Sequence, residues 1–142
     1  MKMFAVLLLA CCAIASAAEE SYRPSQPEYA VMQPAVQWTL RQAPRDWIKM
    51  KFTYAYAGSL ARTRLYSMGP HTRRWREVGQ EGDFSVYDFF DDYIARTQSP
   101  GSKPWTGVTI VIDRETRQFE VAFCYATPPP DDIQMIIEQW GC

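Results

Sequence analysis

The 142-residue chain carries 15 Lys and Arg against 16 Asp and Glu, so its formal net charge is −1 and it lacks the basic excess of a nucleic-acid-binding domain. Its single histidine excludes a His-based metal cluster and leaves His71 as the one position for histidine general-base chemistry. Hydrophobic residues at 47% and aromatics at 14% suffice for one packed core.

The first residues form an export pattern. Lys2 precedes an apolar and small-residue run from Met3 to Ala18, which ends in Ala15-Ser16-Ala17-Ala18 before Glu19 and Glu20. Residues 1–18 are therefore predicted to be a cleaved signal peptide, since the run falls short of the ~20 apolar residues of a spanning helix. Leu8-Leu9-Ala10-Cys11 resembles a bacterial lipobox, but a lipidated chain turns polar at once after its anchor, whereas Cys12 to Ala18 stays apolar. The predicted product is periplasmic or extracellular, with no stable membrane association after cleavage. Of its two remaining cysteines, Cys124 and Cys142, an oxidising compartment permits a bridge.

Residues 19–34 carry Pro24, Pro27 and Pro34 among polar residues and read as a loose or partly helical lead-in rather than as core. The single domain is expected to begin at 35, with a short helix over Ala35 to Ala43 that Pro44 ends. Met50, Phe52, Tyr54 and Tyr56 then alternate with Lys51, Thr53 and Ala55, which is strand periodicity. Gly58-Ser59 turns into a second strand from Leu60 to Met68, and Arg73 to Val78 reads as a third.

The next helix has Ser85 as its predicted cap, with Asp88 three residues on and Phe84 and Phe89 placed as a hydrophobic staple. Val86, Tyr87, Phe90, Tyr93 and Ile94 make its apolar face, and Asp88, Asp91 and Asp92 fall opposite. A hairpin follows from Trp105 to Asp113 and Gln118 to Ala126, with Cys124 on the face opposite Phe123 and Tyr125. A last helix is expected from Asp131, with Ile133, Ile136, Ile137 and Trp140 at helical spacing. The predicted order is α-β-β-β-α-β-β-α, an α+β domain with helices on an antiparallel sheet of about five strands.

Catalytic signatures are absent from the sequence. His71 lies in a Gly-Pro loop beside Thr72, Arg73 and Arg74, a surface setting. The aspartates sit on the polar side of an amphipathic helix, whereas working carboxylates occupy clefts. No phosphate loop, nucleophile elbow, zinc spacing or calcium loop occurs, so no catalytic residue, metal or cofactor is assigned. Charge is instead segregated: Arg41 to Arg76 is strongly basic, and Glu77 to Asp92 strongly acidic, an asymmetry that steers charged partners. Aromatics between the basic residues suggest a nucleic-acid platform, but Tyr54 and Tyr56 share the apolar face with Met50 and Phe52, which makes them core.

The stretch from Ala43 to Ala126 resembles the YezG-like immunity proteins, small bacterial antidotes to polymorphic toxins that are typically nucleases. The likeness rests on Pro44-Arg45-Asp46-Trp47, Arg73-Arg74-Trp75-Arg76-Glu77, the helix from Val86, Pro104-Trp105-Thr106-Gly107-Val108-Thr109, Phe119-Glu120-Val121 and Tyr125. The export signal and Pro34 depart from a family that is usually cytoplasmic with a continuous N-terminal helix. The resemblance implies tight binding to a toxin or enzyme domain, with Asp88, Asp91 and Asp92 standing in for substrate phosphate in a basic cleft. Trp75 and Trp105 are the aromatic contact candidates. The alternatives on the same scaffold are a secreted small enzyme or ligand-binding domain, or a host-interaction protein.

Overall fold

The computed structural model describes residues 21–57, 60–80, 82–98, 101 and 105–125. The expected signal peptide, the helix from Asp131 and Cys142 lie outside these residues.

The fold is α+β. Its described strands are β1 (Arg23–Pro24), β2 (Lys49–Ala57), β3 (Leu60–Met68), β4 (Arg76–Val78), β5 (Gly107–Asp113) and β6 (Gln118–Cys124). They form one six-stranded sheet in the order β1-β6-β5-β2-β3-β4. The helices are α1 (Gln33–Arg41) and α2 (Ser85–Thr97), with a 3-10 helix over Pro27–Met32 leading into α1.

The central strands follow their alternation. Phe52 stands between Leu65 of β3 and Ile110 of β5, and Tyr54 between Thr63 and Val108. With Met50, Ile112, Phe119 and Val121, these residues build the helix-covered face, and nearly all of them are fully buried. A one-residue slip would turn this set to the other side, so the buried face fixes the register.

The helices close that face with aromatic rings. Phe90 of α2 stacks on Tyr54 with centroids 4.3 Å apart and on Phe52 at 5.7 Å. Trp38 of α1 meets Phe52 edge-on at 5.8 Å and donates from its indole N–H to the Asp83 carbonyl at 3.0 Å, which ties α1 to the approach of α2.

The lead-in is a correction to the sequence reading, because residues 23 and 24 pair in parallel with β6 and make the sheet mixed and six-stranded. Tyr22 is buried on Trp47, and Met32 is fully buried. The helical part of the lead-in is the 3-10 helix that runs into α1, and Pro27 and Pro34 occupy first-turn helical positions, where no intrahelical N–H is needed. The third strand also proves shorter than Arg73 to Val78, and Trp75 precedes it.

Candidate partner-binding surface

Helix α2 places Asp88, Asp91 and Asp92 together on its exposed side, while Val86 and Phe90 are buried and Tyr87, Phe89, Tyr93 and Ile94 are half-buried. Asp92 pairs with Arg96 one turn on at 2.7 Å, a surface contact of small energetic consequence. Asp88 and Asp91 have no ion-pair partner among the described residues. The helix thus presents a carboxylate ridge to solvent, and its N-terminal end adds Phe84, which is 71% exposed.

The start of α2 differs from the predicted capping box. Phe84 holds the cap position, Ser85 is already helical, and the Asp83 carboxylate accepts the Ser85 N–H at 3.0 Å. That hydrogen bond, with Arg41 at 3.6 Å as a lesser cause, holds the Asp83 carboxyl below its ordinary pKa. Phe84 rests against Tyr87 at 6.3 Å, in place of the expected staple with Phe89. The signal for Asp83 was its position two residues before Ser85, where an aspartate can hydrogen-bond its own backbone further on.

The two tryptophans part company. Trp105 is 7% exposed, edge-on to Tyr56 at 5.1 Å and to Phe123 at 5.3 Å, so it belongs to the core. Trp75 is half-buried on the sheet face away from α2, and Lys51 lies 4.9 Å from its ring and 4.5 Å from that of Tyr66. The structure therefore brings the aspartates together and sets Trp75 behind the sheet from them. Sequence reasoning missed the Lys51 cluster, because Tyr66 is 15 positions away and meets Lys51 only through the β2–β3 register.

Behind α2, side chains complete an edge that β4 leaves unpaired. The Thr63 N–H donates to the Tyr87 hydroxyl at 3.2 Å, and the Thr63 hydroxyl donates to Gln80 Oε1 at 2.6 Å. Gln80 Nε2 returns a hydrogen bond to the Thr63 carbonyl at 2.8 Å. With the Thr63 hydroxyl proton committed to Gln80, Tyr87 must donate across the 3.0 Å contact to Thr63 Oγ1. Under the helix, burial first and the Asp91 carboxylate second push the Tyr54 phenol well above its usual pKa. Burial likewise raises Tyr56, whose hydroxyl accepts from Gln98, and Tyr93.

A separate cavity of about 430 Å³ opens at the β4 edge and is lined by Asp46, Ser67, His71, Thr72, Arg76 and Glu77 among others. His71 is exposed at its rim, as its loop position suggested. Among the described residues no group of three or more His, Cys, Asp and Glu side chains is placed to hold a metal, and no helix is long and apolar enough to cross a membrane. Cys124 ends β6 half-buried on the face away from α2, opposite Gly107, and its expected bridging partner Cys142 lies outside the described residues. Comparison with protein-family models found no match, and comparison with curated proteins found none.

Proposed function

We propose that this is an exported immunity-type protein, periplasmic or extracellular, that inhibits a toxin or enzyme by forming a stoichiometric complex. The observation that carries this reading is the exposed ridge of Asp88, Asp91 and Asp92 on a helix whose other side is locked into the core. A carboxylate series on a rigid helix suits a basic substrate cleft, because complementary charge speeds encounter and its geometry is set before binding. Exposed Phe84 supplies an apolar anchor beside the ridge. The resemblance to YezG-like immunity proteins over residues 43–126 agrees with this role, and a Cys124–Cys142 bridge suits an oxidising compartment.

The test is capture of a partner by immobilised residues 19–142, prepared under oxidising conditions, from the exported fraction of the source organism. A toxin-like or hydrolytic protein recovered at near one-to-one stoichiometry is the expected result. Replacing Asp88, Asp91 and Asp92 together with Asn should then weaken that complex at least tenfold and flatten its dependence on salt. Unchanged affinity and salt slope would remove the ridge from the interface.

The cavity at the β4 edge supports a second reading, a binding domain for a small polar ligand. Arg76, Asp46 and Glu77 line it together, which suits a molecule carrying both charges. Under this reading, Arg76→Ala abolishes ligand-induced thermal stabilisation, while the Asp-to-Asn triple variant leaves it intact.

A further inference from the structure

The cavity at the β4 edge holds charges that the described residues leave unpaired. Asp46, Arg76 and Glu77 border it, yet none of them forms an ion pair with another or with any other described residue. Counting histidine as neutral, two carboxylates against one guanidinium leave this lining with an acidic excess. The backbone around Asp46 is braced from behind. Arg114 Nη1 donates to the Arg45 and Trp47 carbonyls, on either side of Asp46, at 3.2 and 3.1 Å, and its guanidinium lies 5.3 Å from the centre of the Trp47 ring. The Trp47 N–H closes the turn on the Pro44 carbonyl at 3.3 Å. The carboxylate itself is left to the cavity. Beside it lies Gly69, where a β-carbon would stand 3.8 Å from Asp46 Oδ2 and 4.0 Å from Thr72 Oγ1. Glycine thus keeps a notch open between a carboxylate and a hydroxyl. Arg76 enters from β4, opposite Ser67 of β3, and carries the planar fork that suits a carboxylate.

We propose, resting on the small-ligand reading of this cavity, that its ligand is a basic α-amino acid of the lysine or arginine class. The α-ammonium occupies the notch at Gly69 and donates to Asp46 and Thr72, the α-carboxylate accepts from Arg76, and the side-chain cation meets Glu77. Two cations and one anion match two acids and one base. A neutral zwitterion leaves one acid unmatched, and a dicarboxylic amino acid sets like charges against each other. Size agrees, since about 430 Å³ falls at the small end of ligand pockets. The braced turn fixes Asp46 before binding, which lowers the ordering cost of capturing so small a molecule.

The test is a titration of the chain 19–142 followed by backbone amide chemical shifts. The probes are L-lysine, cadaverine, which lacks the carboxylate, ε-aminocaproate, which lacks the α-ammonium, and L-glutamate, which reverses the charge balance. L-lysine should move the amides of Asp46, Gly69, Thr72 and Arg76, and should bind roughly tenfold or more tighter than each of the other three. Asp46→Asn and Arg76→Ala should each weaken L-lysine by roughly tenfold or more. Gly69→Leu should abolish binding by filling the notch. The Gly69 backbone is not in the left-handed region and its β-carbon has room, so unchanged amide shifts of Ile110 and Ile112 will show that this variant keeps the fold. Equal or tighter binding of L-glutamate, ε-aminocaproate or cadaverine at the same amides overturns the basic amino-acid assignment and leaves the cavity a site for another small polar ligand. Silence of these amides toward all four probes, which span both charges, overturns the assignment and the small-ligand reading together.

Discussion

Tyr54 shows how one side chain can serve packing and electrostatics at once. Its ring lies flat on Phe90 while its phenol, raised by burial and by Asp91, is held in the neutral form. Because the folded pKa lies above the unfolded value, the stability linked to that neutral form is fully present below about pH 10 and is lost as pH rises through the folded value. Tyr54→Phe cannot ionise there. The stability difference between parent and Tyr54→Phe should therefore move by about 1 kcal/mol in favour of the variant between pH 9 and pH 11. Urea unfolding at each pH measures it, and a constant difference would mean that the phenol is not kept neutral by the fold. Tyr56 and Tyr93 are raised by the same cause, so both proteins should still weaken in alkali.

At the scale of elements, α2 is fastened to the sheet by more than its apolar face. Strand β4 pairs only with Leu65, Tyr66 and Ser67, so the Thr63 backbone beyond it relies on Tyr87 and Gln80 for its hydrogen bonds. Losing either partner leaves a sheltered polar group unpaired, at a cost of about 1–3 kcal/mol. Gln80→Ala and Tyr87→Phe should each destabilise by about 1–2 kcal/mol, and together by less than the sum, because both act on Thr63. Chemical denaturation of the double-mutant cycle checks this; strict additivity would show that the two contacts work independently. The apolar face of α2 was readable from Val86, Phe90 and their helical spacing. Its Thr63 partner was not, since 24 residues separate Thr63 from Tyr87.

At the scale of the whole molecule, the core draws on the lead-in as fully as on the central strands. Met32 belongs to the same buried cluster as Phe90 and Ile110, and the Gln33 side chain donates to the Tyr22 carbonyl at 2.6 Å. Met32→Ala should cost about 2–5 kcal/mol, in the range of other buried Met or Leu truncations, with Phe90→Ala at about 3–5 kcal/mol. A loose segment would give less than 0.5 kcal/mol at Met32, so equilibrium unfolding of the two variants separates the descriptions. The same view of the molecule separates its surfaces: the carboxylate ridge of α2 lies on one side of the sheet, and the Lys51, Tyr66 and Trp75 cluster on the other.

The sequence by itself determined the central strands, the apolar face of α2 and the α+β class, because each is written in a local period that a buried face enforces. Leu60 to Met68 was legible end to end, and Asp88, Asp91 and Asp92 were legible as one exposed face. Tertiary structure alone decided what depends on distant segments meeting. It turned Trp105 into core and Trp75 into a neighbour of Lys51, although both are tryptophans beside strands. It paired Arg23 and Pro24 with β6, across more than 90 residues, where a proline-rich composition pointed to no strand. It left Asp83 rather than Ser85 to receive the first free N–H of α2. Local periodicity records which side of an element is buried, whereas burial partners, sheet edges and shared surfaces arise only when the chain closes on itself.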